Sequence, residues 1–121
     1  MDMETALKEA MALDGALGVS LVDYESGMCL GNLGGGKYLD LEVASAGNTE
    51  VVRAKMRTME ALGLKDTIDD ILITLGRQLH IIRLVQTKRG GLFLYLALDK
   101  SKGNLALARH QLRQIEADLE I

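Results

Sequence analysis

Apolar positions along the chain change period several times, and each change marks an element. Met3, Ala6, Leu7, Ala10 and Met11 recur at helical spacing behind the acidic start at Asp2 and Glu4. Gly15, after Leu13 and Asp14, predicts the end of this short amphipathic helix. The spacing then drops to two. Leu17, Val19 and Leu21 are expected on one face of a strand, residues 24–27 turn, and residues 28–33 return as a second strand. A glycine-rich connection, Gly34-Gly35-Gly36, follows. From 40 to 62 the pattern is helical again, and Gly63 followed by Leu64 reads as a C-terminal cap with its apolar contact. Three short runs rich in Ile, Leu and Val come next, at 71–75, 79–85 and 92–98. Gly76-Arg77-Gln78 and Lys88-Arg89-Gly90-Gly91 separate them, and connections this short predict an antiparallel meander. Ser101 is expected to cap a last helix in which Leu105, Ala108, Leu112, Ile115 and Leu119 recur at three- and four-residue steps.

The predicted order is therefore α-β-β-α-β-β-β-α, an α+β domain with an antiparallel five-stranded sheet. In its last strand Leu92, Leu94, Leu96 and Leu98 alternate with Phe93, Tyr95 and Ala97. Neither set suits water, so helices must cover both faces of the sheet. At 121 residues the chain is read as a single domain spanning 1–121.

The second helix carries more apolar surface than one sheet needs. Glu42, Glu50, Arg53, Arg57 and Glu60 fall in one narrow arc, interrupted by Ala46. Leu41, Val43, Ala44, Val51, Val52, Ala54, Met56, Met59, Ala61 and Leu62 spread over the rest, wider than the roughly 100° stripe that packing on one sheet requires. The excess implies a second partner. Asn48 and Lys55 lie inside the apolar arc, either as register-setting polar residues between two helices or, more simply, as a loop contact and a snorkelling side chain. Gly47 allows a kink or a broken first turn.

Composition narrows the function classes. The net charge of −3 is spread along the chain, with no basic stripe for nucleic acid and no polybasic segment for anionic lipid. No apolar run approaches the roughly 18 residues of a membrane span. Cys29 is the one cysteine, and the N-terminal MDMETALKEAM has no apolar signal core, so the protein is expected in the cytoplasm. Aromatic residues make up only 3% of the chain, leaving few of the side chains that line small-molecule pockets.

Candidate chemistry is sparse. GNLGGGKY, residues 31–38, matches the G-x-x-x-x-G-K part of a phosphate-binding loop between a strand and a helix, but Tyr38 stands where a metal-binding Ser or Thr is needed. An apolar strand ending at Asp99 imitates the matching metal-holding strand. Such folds use a larger parallel sheet, so the glycines are better read as a tight loop over the sheet edge. His80 and His110 are thirty residues apart with no ligand-spaced Cys or carboxylate, so no metal site is expected. His80 reads as a core histidine bonded to backbone, His110 as a surface residue, and Cys29 as buried packing. Asp69-Asp70 reads as a solvated strand entry rather than a catalytic dyad. Met3, Met11, Met56 and Met59 are core filler or adaptable interface. No catalytic residue, cofactor or metal ligand is assigned, and the chain is not read as an enzyme.

Taken with the element order, GVSLVDYESGMCL in the first hairpin, GLFLYLALD at the end of the meander and SKGNLALARHQLRQIEADL at the close resemble the roadblock (dynein light chain) family, a roadblock/profilin-like fold. The resemblance covers nearly the whole chain. It implies a non-catalytic homodimeric module that binds or regulates a Ras-like small GTPase, with no nucleic acid and no membrane insertion. It further implies that the third strands pair edge to edge and the second helices pack across the symmetry axis. The residues assigned to that interface are Ala44, Asn48, Val51, Val52, Lys55, Met59, Ile71, Ile73 and Leu75. Independently, the third strand is expected at a sheet edge, yet it lacks the Lys, Pro or bulge that guards exposed edges. The alternative function is a ligand sensor with an apolar pocket between helix and sheet.

Overall fold

The computed structural model describes residues 1–87 and 90–120; the Lys88-Arg89 part of the second meander turn lies outside them. Its elements are α1 (Met3–Met11), β1 (Ala16–Asp23), β2 (Met28–Gly34), α2 (Leu41–Ala61), β3 (Asp70–Thr74), β4 (Gln78–Thr87), β5 (Gly90–Asp99) and α3 (Leu105–Asp118). All strand pairs are antiparallel and the sheet order is β2-β1-β5-β4-β3. The meander thus docks its last strand against the first strand of the hairpin. This makes β5 central and leaves β2 and β3 as opposite edges.

β5 divides the core as its alternation requires. Leu92, Leu94, Leu96 and Leu98 join Val19, Leu21 and Ile81 beneath α1 and α3, which contribute Leu7, Ala10, Leu112 and Ile115. Phe93, Tyr95 and Ala97 join Val22, Ile82 and Leu84 on the opposite face, beneath α2. Leu17 does not share a face with Val19 and Leu21. The pairing of β1 with β5 shifts register between Ala16 and Gly18, and this bulge turns Leu17 to the α2 side.

Helix ends follow local chemistry. The Asp2 carboxylate accepts from Thr5 N–H at 2.9 Å and caps α1. α2 ends in a Schellman motif: Leu64 N–H donates to Met59 O at 2.9 Å and Gly63 N–H to Glu60 O at 3.0 Å, with Gly63 at φ 68. α2 runs unbroken past Gly47 from Leu41 to Ala61, so the first turn is not broken there. α3 is capped by Asn104, whose side chain accepts from Leu107 N–H at 2.9 Å. Ser101 instead bonds Asp99 in the preceding turn, because it stands too far from the first helical amides to cap them. Asp70 is not a solvated entry: Arg109 of α3 forms a salt bridge with it at 2.8 Å. Arg83 of β4 reaches Glu116 of α3 in the same way, also on the α1/α3 face.

The sheet-facing stripe of α2 is more polar than the apolar arc implied. Leu41, Ser45, Thr49 and Val52 are its buried residues. Ser45 Oγ donates to Leu41 O at 2.6 Å and lies 3.1 Å from the hydroxyl of Ser20 on β1, while Thr49 Oγ1 donates to Ser45 O at 2.8 Å. Each hydroxyl is satisfied by the carbonyl one turn back, so small polar residues can bring the helix close to β1 without an orphaned donor. Hydrophobic residues are displaced to the helix exterior as a result. Val43 is 68% exposed and Leu62 66%.

Candidate interaction surface

β3 is an edge strand whose free side can be assigned residue by residue. Leu84 N–H donates to Asp69 O at 3.1 Å, and Leu75 N–H donates to Gln78 O at 2.9 Å. Bonded and non-bonded pairs alternate along an antiparallel ladder. Ile71↔Ile82 and Ile73↔His80 are therefore bonded pairs. The amides and carbonyls of Asp70, Leu72 and Thr74 point away from β4, off the sheet. No lysine, proline or bulge blunts this row. The opposite edge, β2, is guarded: its register shifts where Leu30 intrudes between the partners of Leu21 and Val22.

α2 lies over β1 and β2 and presents two unlike flanks. Arg53, Arg57 and Glu60 border Tyr24 and Glu25 at the β1–β2 turn. There Arg53 Nε donates to Tyr24 O at 2.9 Å and its amino group donates to Glu25 O, which ties the turn to the helix. On the flank toward β4, Met59 joins Leu64, Asp66, Ile68, Leu84 and Gln86 around an open cleft of ≈ 290 Å³, and Met56 and Glu60 border both this cleft and the Tyr24 side. Ala44, Asn48, Val51 and Lys55 follow the same flank as Met59 at three- and four-residue steps. α2 lies over β1 and β2 while β3 is the far edge beyond β5 and β4, and the half-buried Ile71, Ile73 and His80 mark the partly open strip of sheet beside this flank, the wedge.

The assigned interface residues distribute unevenly around that wedge. Ala44, Asn48, Val51, Met59, Ile71 and Ile73 are half-buried, Lys55 is exposed, and Leu75 is 43% exposed. Val52 is fully enclosed in the subunit's own core and has no surface left to offer. Sequence reasoning passed over Leu72, whose backbone faces outward and whose side chain is 41% exposed. It also placed His80 wrongly in one respect: the ring is half-buried on the wedge floor, beside Ile73, and bonds side chains rather than backbone. Its Nε2 is 2.7 Å from Gln78 Oε1 and its Nδ1 is 3.1 Å from the Tyr95 hydroxyl, with the two rings edge to face. Backbone groups cannot serve it because the ladders on both sides already use them. Cys29 is half-buried on the β2 edge, its Sγ 3.4 Å from Gly31 O. His110 is on the surface, as expected.

The glycine loop is built for a turn. Gly34, Gly35 and Gly36 all have positive φ, at 78, 84 and 103. At the N-terminus of α2, where a phosphate would sit, the Asp40 carboxylate accepts from Glu42 N–H at 3.0 Å and Val43 N–H at 3.1 Å. A carboxylate already there repels a second anion and takes its donors. Calorimetry with Mg-GTP and Mg-ATP should therefore show no micromolar binding. Binding that Lys37→Ala abolishes would restore the phosphate-loop reading.

This architecture recurs in solved structures. A Roadblock/LC7 domain from Streptomyces avermitilis matches with a TM-score of 0.81 over 97% of this chain and 93% of that one, at 9% identity. No protein-family model matches the sequence, and neither does any curated protein. The fold is thus of the roadblock class. The chain is also similar to MglB of Myxococcus xanthus, with a TM-score of 0.75 over 93% and 84% of the two chains at 17% identity. MglC of the same organism matches with a TM-score of 0.62 over 97% and 95%, at 23% identity.

Proposed function

We propose that the chain is a non-catalytic module that pairs with a second copy along β3 and the adjoining flank of α2, and that the paired surface is a platform for a Ras-like small GTPase. The observation that carries this reading is the unguarded β3 edge beside an unfilled wedge. A second copy related by a two-fold axis at Leu72 brings the same outward amides to face each other and sets its own α2 flank over the wedge. The GTPase partner is what the family resemblance implies, and the fold shared with MglB supports the kind of module. Cytoplasmic placement belongs to the same reading; among the described residues no helix is long and apolar enough to cross a membrane.

The cleft between α2 and β4 is where a ligand-sensing alternative would find its site. At ≈ 290 Å³ and open to solvent, it lies at the bottom of the roughly 300–1,000 Å³ range of ligand pockets. The interaction reading is therefore preferred. Its test is capture on the immobilised protein from native lysate supplied with GTP or GDP. A small GTPase retained in one nucleotide state and released in the other is the expected result. Capture of the same proteins in both states, with no GTPase among them, overturns the partner assignment.

A further inference from the structure

The floor of the wedge carries one titrating ring in an otherwise apolar setting. His80 stands opposite Ile73 on β3 and Ala97 on β5 and shares a face with Ile82. Its Nε2 donates to the side-chain oxygen Oε1 of Gln78, so Nδ1 is left to accept the Tyr95 hydroxyl hydrogen. Both nitrogens are used only while the ring is neutral. On protonation Nδ1 becomes a donor, so the Tyr95 hydroxyl loses the acceptor for its own hydrogen. Burial already holds the His80 pKa below its ordinary value and pushes the Tyr95 phenol up to about 12.

Among the described residues no carboxylate bonds the ring, whose partners are Gln78 and Tyr95. From β5 the titratable neighbour is Tyr95 itself. Asp99 stands opposite Gln78; its carboxylate accepts from Ser101, which lowers its pKa and keeps it ionised, and it makes no bond to the ring. β3 offers Ile73 and, at the end of the strand, Leu75. The α2 flank carries Ala44, Asn48, Val51 and the cationic Lys55, and the acidic groups Glu60 and Asp66 line the cleft at the far end by Leu84 and Gln86.

We propose that His80, Gln78 and Tyr95 form a proton-sensitive catch in the dimer seam, which holds when the ring is neutral and loosens when it is protonated; the proposal rests on the pairing reading above. In the free subunit the ring's exposed edge is hydrated. In the pair, the second copy's flank replaces that water with Ala44, Val51 and their neighbours, so protonation and pairing oppose each other. The two-fold axis doubles the effect. A further downward shift of one unit per ring corresponds to tenfold, so two rings weaken pairing by about 100-fold once the pH is well below both values.

The test is a dilution series by sedimentation equilibrium at about pH 7.5 and, because burial holds His80 below the ordinary histidine range, at about pH 4.5. The wild-type dissociation constant should rise by tens to about 100-fold at the lower pH. His80→Gln keeps a hydrogen-bonding side chain that does not titrate, and its dissociation constant, whatever its value, should be the same at both pH values. Circular dichroism at each pH separates dissociation from unfolding. A wild-type dimer equally tight at both pH values overturns the catch and leaves the pairing intact. A pH dependence that persists in His80→Gln assigns it to other groups and also overturns the catch. A monomer at both pH values overturns the pairing itself.

Discussion

Leu72→Pro is expected to give a folded monomer at micromolar concentration, whereas Ile73→Pro should weaken the subunit. The two residues are neighbours on a five-residue strand, but their amides point in opposite directions. The Ile73 amide belongs to the bonded pair with His80. Proline there removes a ladder donor and leaves the His80 carbonyl unpaired, which costs about 1–3 kcal/mol. The measurement is the urea midpoint, which should fall for Ile73→Pro. Leu72 directs its amide off the edge, where proline is tolerated in edge strands. In a symmetric pair both copies lose a cross-seam donor and present a ring to the incoming strand. Two lost hydrogen bonds of typical net value weaken the dimer by on the order of 100-fold before any steric term. Light scattering coupled to gel filtration reads the mass. Thr74→Pro, at the next outward amide, is the second variant should Leu72→Pro disturb β3. If both variants stay folded and dimeric, β3 is not the seam.

Which amides of β3 face off the edge was within reach of the sequence. The first meander turn reads as Gly76-Arg77-Gln78, but Gln78 is already the partner of Leu75, so the loop has two residues. Loop length sets register and register sets which amides face inward. A two-residue turn at Gly76-Arg77 would have made Leu75, Ile73 and Ile71 inward and Leu72 outward without coordinates. The β5 alternation was legible for the opposite reason. A central strand buried on both faces leaves no freedom in how its side chains divide. Leu17 was not legible, because a bulge is a property of the pairing and leaves little trace in a single strand. The sheet-facing stripe of α2 was hidden as well. Ser45 and Thr49 count as polar in any periodicity count, yet both are buried by bonding carbonyls of their own helix. That error turns the helix in projection and counts Val52 as available surface. The His80 cluster needed the register too, since it is assembled from β4 and β5 positions fifteen residues apart.

Val51 and Val52 are expected to respond in opposite ways to the same substitution, and this contrast separates seam from core. Val52 is fully enclosed beneath α2, among Ile82, Phe93 and Tyr95. Val52→Glu puts an unpaired carboxylate in that cluster. The cost of several kcal/mol is comparable with the whole stability of a domain of this size, about 5–15 kcal/mol. Loss of the folded circular dichroism signal is the expected result. Val51 is half-buried on the flank that faces the wedge, and a glutamate there can swing its carboxylate into water so long as the flank is free. In the pair that route closes, and the carboxylate meets the apolar flank and wedge of the second copy with no cation placed to receive it except the exposed Lys55. A penalty of about 3–4 kcal/mol raises the dissociation constant by roughly 100- to 1,000-fold. Val51→Glu should therefore keep its circular dichroism and lose half its mass. Should it unfold as Val52→Glu does, the flank is part of the subunit core and the wedge is not a docking surface. Should it stay folded and dimeric while Leu72→Pro does not, pairing runs through β3 alone and α2 is left free for the partner the platform carries.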